Sequence, residues 1–233
     1  FDPDEDGFPA YRIDGDELRV NDTGDLNYES TPSVDLDVRA SDGTFYTDAV
    51  ITVNLEDINE QPQIDSQYFS MPENSVLDYQ VGVLSAQDED NDPLTFTILN
   101  NDDLDNDGVD TFRIAGDALL VNDADDIDFE SGPLRNITVL ASDGEYASTA
   151  SIVIYLSDVD DAPVLSLPAS QNINEDTDLI LSSVNASLIS IADADAQYTT
   201  TMWMQLEVQN GTLTLPDTTG LSFLSDNGSS SLI

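Results

Sequence analysis

The sequence predicts an all-β chain of tandem β-sandwiches. Three observations point there. Apolar residues alternate with polar ones over short runs, as in Val34, Leu36 and Val38, or Ala49, Ile51, Val53 and Leu55. That period of two is the mark of a half-buried strand. No stretch of useful length has the 3.6-residue period of a helix. Residues 11–62 also align without a gap on residues 112–163, at an offset of 101, with 22 of 52 positions identical. A repeat of this length is a domain and not a solenoid unit.

The elements follow in chain order. Gly15-Asp16 separates two short β runs, as Gly116-Asp117 does in the second copy, and each pair predicts a hairpin turn. A tetrad, Leu26-Asn27-Tyr28-Glu29 or Ile127-Asp128-Phe129-Glu130, precedes a Pro-containing turn. The alternating strands around 34–38 and 49–55 come next, with Ala-Ser-Asp-Gly between them. The second copy has Ile152, Ile154 and Leu156 in the last of these strands. The linkers Asp57-Ile58-Asn59-Glu60-Gln61-Pro62 and Asp158-Val159-Asp160-Asp161-Ala162-Pro163 are short and end in Pro, which makes them stiff connections. Seven or so strands per hundred residues argue for sandwiches of the immunoglobulin-like type. The expected division is 1–60 as the back part of one domain, 61–161 as a complete domain and 162–233 as the front part of a third.

Composition restricts function. Forty-eight acidic residues face five basic ones, and the formal net charge is −43. There is no His and no Cys. Without a basic patch, binding to nucleic acid or to an anionic membrane surface is excluded. Without His or Cys there is no Ser-His-Asp or Cys-His catalysis, no disulfide and no thiolate metal site. No apolar run approaches the roughly 18–20 residues of a membrane span, so no membrane insertion is expected. The N-terminus carries no secretory leader, as expected of a stretch from inside a longer protein. A glycosidase needs two facing carboxylates in a partly apolar pocket, and the sequence gives no sign of one; the chain is not expected to be an enzyme.

The acids are not scattered. Asp supplies 37 of the 48 acidic residues, and Asp is the short carboxylate of turns and cation loops. Carboxylates recur at matching repeat positions and beside the linkers, whereas acidity serving salt tolerance alone has no reason to keep such a register. Packed at this density they repel unless a hard cation lies between them. Ca²⁺, with six to eight oxygen ligands, is the cofactor expected. Asp2, Asp4 and Asp6 before Gly7, and Asp103, Asp105 and Asp107 before Gly108, look like the first half of an EF-hand-type loop. No Glu occupies the twelfth place, so the expectation is a local Ca²⁺ clip and not an EF-hand.

The ordered set of Pro72-Glu73-Asn74, Asp88-Glu89-Asp90, the tetrads, Ala-Ser-Asp-Gly and the Pro-terminated linkers resembles the cadherin family, over nearly all of residues 11–163. The resemblance implies Greek-key sandwiches with Ca²⁺ at the domain junctions. It implies a first junction of Asn27, Glu29, the Ile58 carbonyl, Asn59, Glu60, Asp88, Asp90 and Asp143. It implies a second of Glu73, Asp128, Glu130, Val159 through its carbonyl, Asp160, Asp161, Asp193 and Asp195. Asn27 stands where the family has Asp, and the linkers are one residue shorter than the animal form. Residues Asn174-Glu175-Asp176-Thr177, 208–215 and 220–223 resemble the cadherin-like repeats of large bacterial surface adhesins.

The function expected is therefore a calcium-rigidified adhesive segment of a secreted or cell-surface bacterial protein, from a calcium-rich setting such as sea water. Its partners are expected to be neighbouring repeats or other copies of itself. The repeats cut at either end of the sequence are expected to leave open strand edges. The front strands of one copy can then complete the back of another, giving a filament. The alternative is a carbohydrate-binding module recognising extracellular polysaccharide. Its candidate residue is Trp203, in Met202-Trp203-Met204 on an expected strand, though a sheet-face anchor is the plainer role.

Overall fold

The computed structural model describes residues 3–197, 202–207, 211–215 and 229–232. The chain divides into two compact units, Phe1–Asp158 and Val159–Ile233.

The first unit opens with β1 (Tyr11–Asp14), β2 (Glu17–Val20), β3 (Ser33–Ser41) and β4 (Tyr46–Asn54). It continues with β5 (Gln67–Pro72), β6 (Gln80–Val83), β7 (Thr95–Asn100), β8 (Phe112–Ala115), β9 (Ala118–Val121), β10 (Leu134–Ser142) and β11 (Ala147–Ser157). β5 to β11 form one seven-stranded sandwich. One sheet has the order β5-β11-β10-β7 and the other β6-β9-β8. β5 and β11 run parallel, Gln67 beside Ile152 through Pro72 beside Ser157, so the first and last strands of the domain close one sheet together. The other pairs are antiparallel.

The core lies between the two sheets. Ile137, Val139 and Ala141 of β10 alternate with half-exposed neighbours and are fully buried, as are Ile152 and Ile154 of β11 and Leu119 and Val121 of β9. Burying each of the Ile, Val and Leu side chains contributes about 1.5–3 kcal/mol. Gly82 lets β6 approach this core: a Cβ there would lie 2.3 Å from the Phe69 ring, and the β6–β9 register slips at that point. The expected hairpins are present. Gly15 and Gly116 both sit at φ +68, the left-handed region a two-residue turn requires.

The first repeat is built differently. Among the described residues β1 pairs only with β2, and β3 only with β4. Leu18 is 44% exposed and Ile51 45%, although their repeat counterparts Leu119 and Ile152 are 0% exposed. The alternation that predicts core positions around 49–55 therefore yields exposed Ala49 and Ile51 and only half-buried Val53 and Leu55. The cause is the lack of a facing sheet among the described residues, since the residue types are the same.

The second unit contains β12 (Val164–Ser166) paired antiparallel with β13 (Ser190–Ala192), a single 3₁₀ turn over Ala194–Gln197, and β14 (Gly211–Thr214) paired with β15 (Ser229–Leu232). The strand expected at Met202-Trp203-Met204 is not found. Residues 202–207 have no regular structure, and Trp203 is 71% exposed. β propensity holds no strand where no neighbour among the described residues accepts its hydrogen bonds. Among the described residues no helix is long and apolar enough to cross a membrane.

Candidate cation sites

Glu29, Glu60 and Asp90 form the first group. Glu29 lies in the turn between β2 and β3, Glu60 in the linker after β4, and Asp90 between β6 and β7. One carboxylate oxygen from each lies within 4.8 Å of the others. Two oxygens on opposite sides of one Ca²⁺, each about 2.4 Å away, are separated by about that distance. The Glu60 N–H donates to Asp90 Oδ2 at 2.8 Å, and the Asp90 N–H to Asp88 Oδ1 at 3.1 Å. These bonds bring linker and loop together and leave other oxygens uncommitted. Glu60 Oε2 and Asp88 Oδ2 are buried with no hydrogen-bond donor among the described residues. Desolvation, then the charges of Asp90 and Glu29, push the carboxyls of Asp57 and Glu60 above the usual carboxylate range. The ion pairs of Arg19, Arg39 and Arg113 are made elsewhere, with Asp14 and Glu17, Asp48 and Asp78. Buried carboxylate oxygens without donors, in an all-oxygen set, fit a hard divalent cation.

Glu73, Glu130 and Asp158 form the second group, again within 4.8 Å. Glu73 follows the last residue of β5 and is 2% exposed. It is held from both ends: its N–H donates to the Ser157 carbonyl at 3.0 Å, and its Oε2 accepts the Phe129 N–H at 2.6 Å. Asp128 Oδ1 accepts the N–H groups of Glu130 (2.9 Å) and Ser131 (3.3 Å), which curls the tetrad and presents Glu130.

The Asp-rich loop of the second repeat makes a third cluster. Asp103, Asp105 and Asp107 lie within 4.8 Å of one another, and Asp105 also groups with Asp123 and Asp126. Asp126 is 1% exposed; its Oδ1 accepts the N–H groups of Leu104 and Asp105, and its Oδ2 the Thr111 hydroxyl. The Asp107 N–H draws the Asp105 carboxyl down, but burial and the charges of Asp107, Asp123 and Asp126 outweigh it and the net displacement is upward. In the first repeat Asp6 donates its N–H to Asp4 Oδ1, and Asp4 its N–H to Asp25 Oδ1. Among the described residues these acids are not gathered into a comparable group, and Asp2 lies outside the described residues.

The second unit repeats one feature of the first group. Asp161 donates its N–H to Asp195 Oδ2, and Asp195 its own to Asp193 Oδ1 at 3.0 Å. Asp195 Oδ1 is buried with no donor among the described residues. Asp161, Asp195 and Asp193 thus stand as Glu60, Asp90 and Asp88 do. Asp160 is exposed, as are the side chains of Ile58 and Val159, whose expected ligand atoms are carbonyls.

Other expected ligands are engaged in building turns. Asn27 accepts the Ser30 N–H at 2.7 Å and donates to Glu89 at 2.6 Å. Asp143 accepts the N–H groups of Glu145 (2.6 Å) and Tyr146 (2.7 Å), and Asn59 donates to its other oxygen at 3.1 Å. Burial alone would raise the Asp143 carboxyl, but these donors hold it below the usual range. Sequence reasoning missed Asp57, Asp158, Asp123 and Asp126 as site residues. The signal was present, since Asp57 matches Asp158, Asp22 matches Asp123 and Asp25 matches Asp126 at the offset of 101.

No family model matches the chain. Rat cadherin-7 is 26% identical over an alignment of 179 residues, and the match covers 68% of this chain and 22% of that protein. Human cadherin-22 is 32% identical over 150 residues, 60% of this chain and 18% of that protein. The chain spans about a fifth of the length of these curated relatives. Among solved structures, human CDH23 EC21-23 superposes with a TM-score of 0.50 at 18% identity, over 79% of this chain and 61% of that one. The protocadherin gammaB7 EC3-6 cis-dimer structure gives 0.50 at 18% identity, over 80% and 49%. The sandwich therefore has the immunoglobulin-like fold of cadherin domains.

Proposed function

We propose that this chain is a Ca²⁺-stiffened adhesive segment of an extracellular or cell-surface protein. The observation that carries the reading is the Glu29–Glu60–Asp90 group, where three segments far apart in sequence converge their carboxylates while Glu60 Oε2 and Asp88 Oδ2 lie buried without donors. Glu29 and Glu60 with Asp57, and Asp88 with Asp90, would hold one or more Ca²⁺. Glu73, Glu130 and Asp158 would hold another, and the Asp103–Asp107 loop with Asp123 and Asp126 a local clip. Bound Ca²⁺ supplies the positive charge that offsets the repulsion and fixes the linker against its neighbours. The three-domain division at about residues 60 and 161 belongs to this reading. So does the bacterial adhesin setting, which rests on the acidic, Cys-free composition and the character of residues 174–223.

The test is a calcium titration followed by calorimetry and small-angle scattering. Melting temperature rises and the particle stiffens between EDTA and millimolar Ca²⁺. If neither changes, the reading is wrong.

A second reading, self-association by strand complementation, is favoured by the exposed apolar residues of the first repeat. Leu18, Val20 and Ile51 present to solvent what Leu119, Val121 and Ile152 bury. The front strands of another copy would cover that face and extend the assembly head to tail. Light scattering on the concentrated protein with Ca²⁺ decides it: growing assemblies support filaments, and a monomer excludes them. Polysaccharide binding through Trp203 is the weaker alternative, and unchanged sugar retention on Trp203→Ala removes it.

A further inference from the structure

Arg135 is 3% exposed on β10, and its guanidinium donates to four backbone carbonyls and one hydroxyl of a single chain segment. One terminal nitrogen donates to the Gly132 carbonyl (2.6 Å) and the Leu134 carbonyl (3.2 Å). The other donates to the carbonyls of Asp126 (3.0 Å) and Asp128 (2.9 Å) and to Ser131 Oγ (2.9 Å). Convergent carbonyl dipoles repel one another, and a buried planar cation with a fork of donors holds them together. The segment gripped in this way contributes one carboxylate to each of two of the groups. Asp126 turns to Asp105 and Asp123, and Glu130 turns to Glu73 and Asp158. In the first repeat the same position is Val34, an apolar core residue that offers no guanidinium to the corresponding segment.

We infer that Arg135 is a positioning residue for divalent-cation binding: a permanent internal cation that holds segment 126–132 in its binding shape and so pre-orients Asp126 and Glu130 for the two groups they serve. This rests on the Ca²⁺ reading above. It adds that the two repeats differ in cation affinity by design of the segment behind the ligands. Removing a group that orients ligands from behind typically costs about ten- to a hundredfold in metal affinity.

The experiment is a Ca²⁺ titration of the whole chain followed by amide chemical shifts, so that each group reports separately. In Arg135→Val, which installs the sister repeat's residue, the affinity read at Glu73, Glu130 and Asp158 falls about tenfold or more. The affinity read at Glu29, Glu60 and Asp90 is unchanged and serves as the internal control. Arg135→Lys, which keeps the charge, recovers part of the loss. Should Arg135→Val fail to fold, Arg135→Gln, neutral and still able to donate, decides the matter by the same readout. A purely structural role lowers the melting temperature in EDTA but leaves the site affinity of the folded protein equal in all variants, and that result overturns the inference alone. If the wild-type chain shows no saturable shift at either group in millimolar Ca²⁺, the cation reading falls and this inference with it.

Discussion

The backbone N–H of Glu60 donates to Oδ2 of Asp90 at 2.8 Å, and thirty residues of sandwich separate the two in sequence. That bond consumes one oxygen of Asp90 and aims the rest of the carboxylate at Glu29 and the Glu60 side chain. Asp90→Asn separates the two effects at stake. It preserves an oxygen for the Glu60 N–H but removes a charge. The expected outcome is a fall in Ca²⁺ affinity of about tenfold or more and, in EDTA, a rise in melting temperature, because the repulsion is relieved. Isothermal titration and calorimetry measure both. Equal destabilisation with and without Ca²⁺ would show that Asp90 serves the fold alone.

Glu60 carries a pH signature. Its carboxyl, like that of Asp57, is raised by desolvation and by its acidic neighbours. The folded chain therefore holds these protons more tightly than the unfolded chain does. Stability contributed by them is present at low pH and is lost as pH rises from the ordinary carboxylate value of about 4 through the raised folded value. In EDTA, then, Glu60→Gln stabilises more at neutral pH than at about pH 5. Ca²⁺ inverts the dependence for the wild type, since its ligands must be deprotonated and acid releases the metal. Melts of both proteins at the two pH values, with and without Ca²⁺, test the sign in each case.

Much of this was legible in the sequence because two physical signals coincide. Alternation marks Ile152, Ile154 and Leu156, and the repeat offset marks the acids beside each linker; the first set is core and the second converges in space. What was not legible depends on facing surfaces. Nothing in Ile51 or its neighbours says that no sheet among the described residues will cover it, and nothing in Met202-Trp203-Met204 says that its strand will lack a partner. The sequence does not distinguish a short side chain that serves a cation from one that serves a turn. Asn27 and Asp143 spend their oxygens on nearby N–H groups. Asp57, an ordinary linker acid by its type, belongs with Glu29 and Asp90.

The two repeats respond differently to the same truncation. Leu119 is fully buried among the core residues of the sandwich, so Leu119→Ala removes its contacts and opens a cavity, at a cost of about 2–5 kcal/mol. Leu18, its counterpart, is almost half exposed, and Leu18→Ala costs within about 0.5 kcal/mol. Urea unfolding of the two variants gives the comparison. A large loss at Leu18 in an assembling sample, absent on dilution, would reveal that a partner covers that face.

Asp126 separates structural from cation-dependent roles in the Asp-rich loop. It accepts three hydrogen bonds, from the N–H groups of Leu104 and Asp105 and from the Thr111 hydroxyl, in a position closed to water. Asp126→Ala leaves those donors unsatisfied and costs about 3 kcal/mol even in EDTA. Asp105→Asn has the opposite character. The Asp105 carboxyl is held above its usual range by burial and by Asp107, Asp123 and Asp126, against the pull of the Asp107 N–H, so removing its charge relieves strain in the apo protein. It is expected to raise the melting temperature in EDTA and to narrow the gain on adding Ca²⁺. Calorimetry of both variants in the two buffers reads these as different patterns. If Asp105→Asn gains as much from Ca²⁺ as the wild type does, the loop is a fold element and binds no cation.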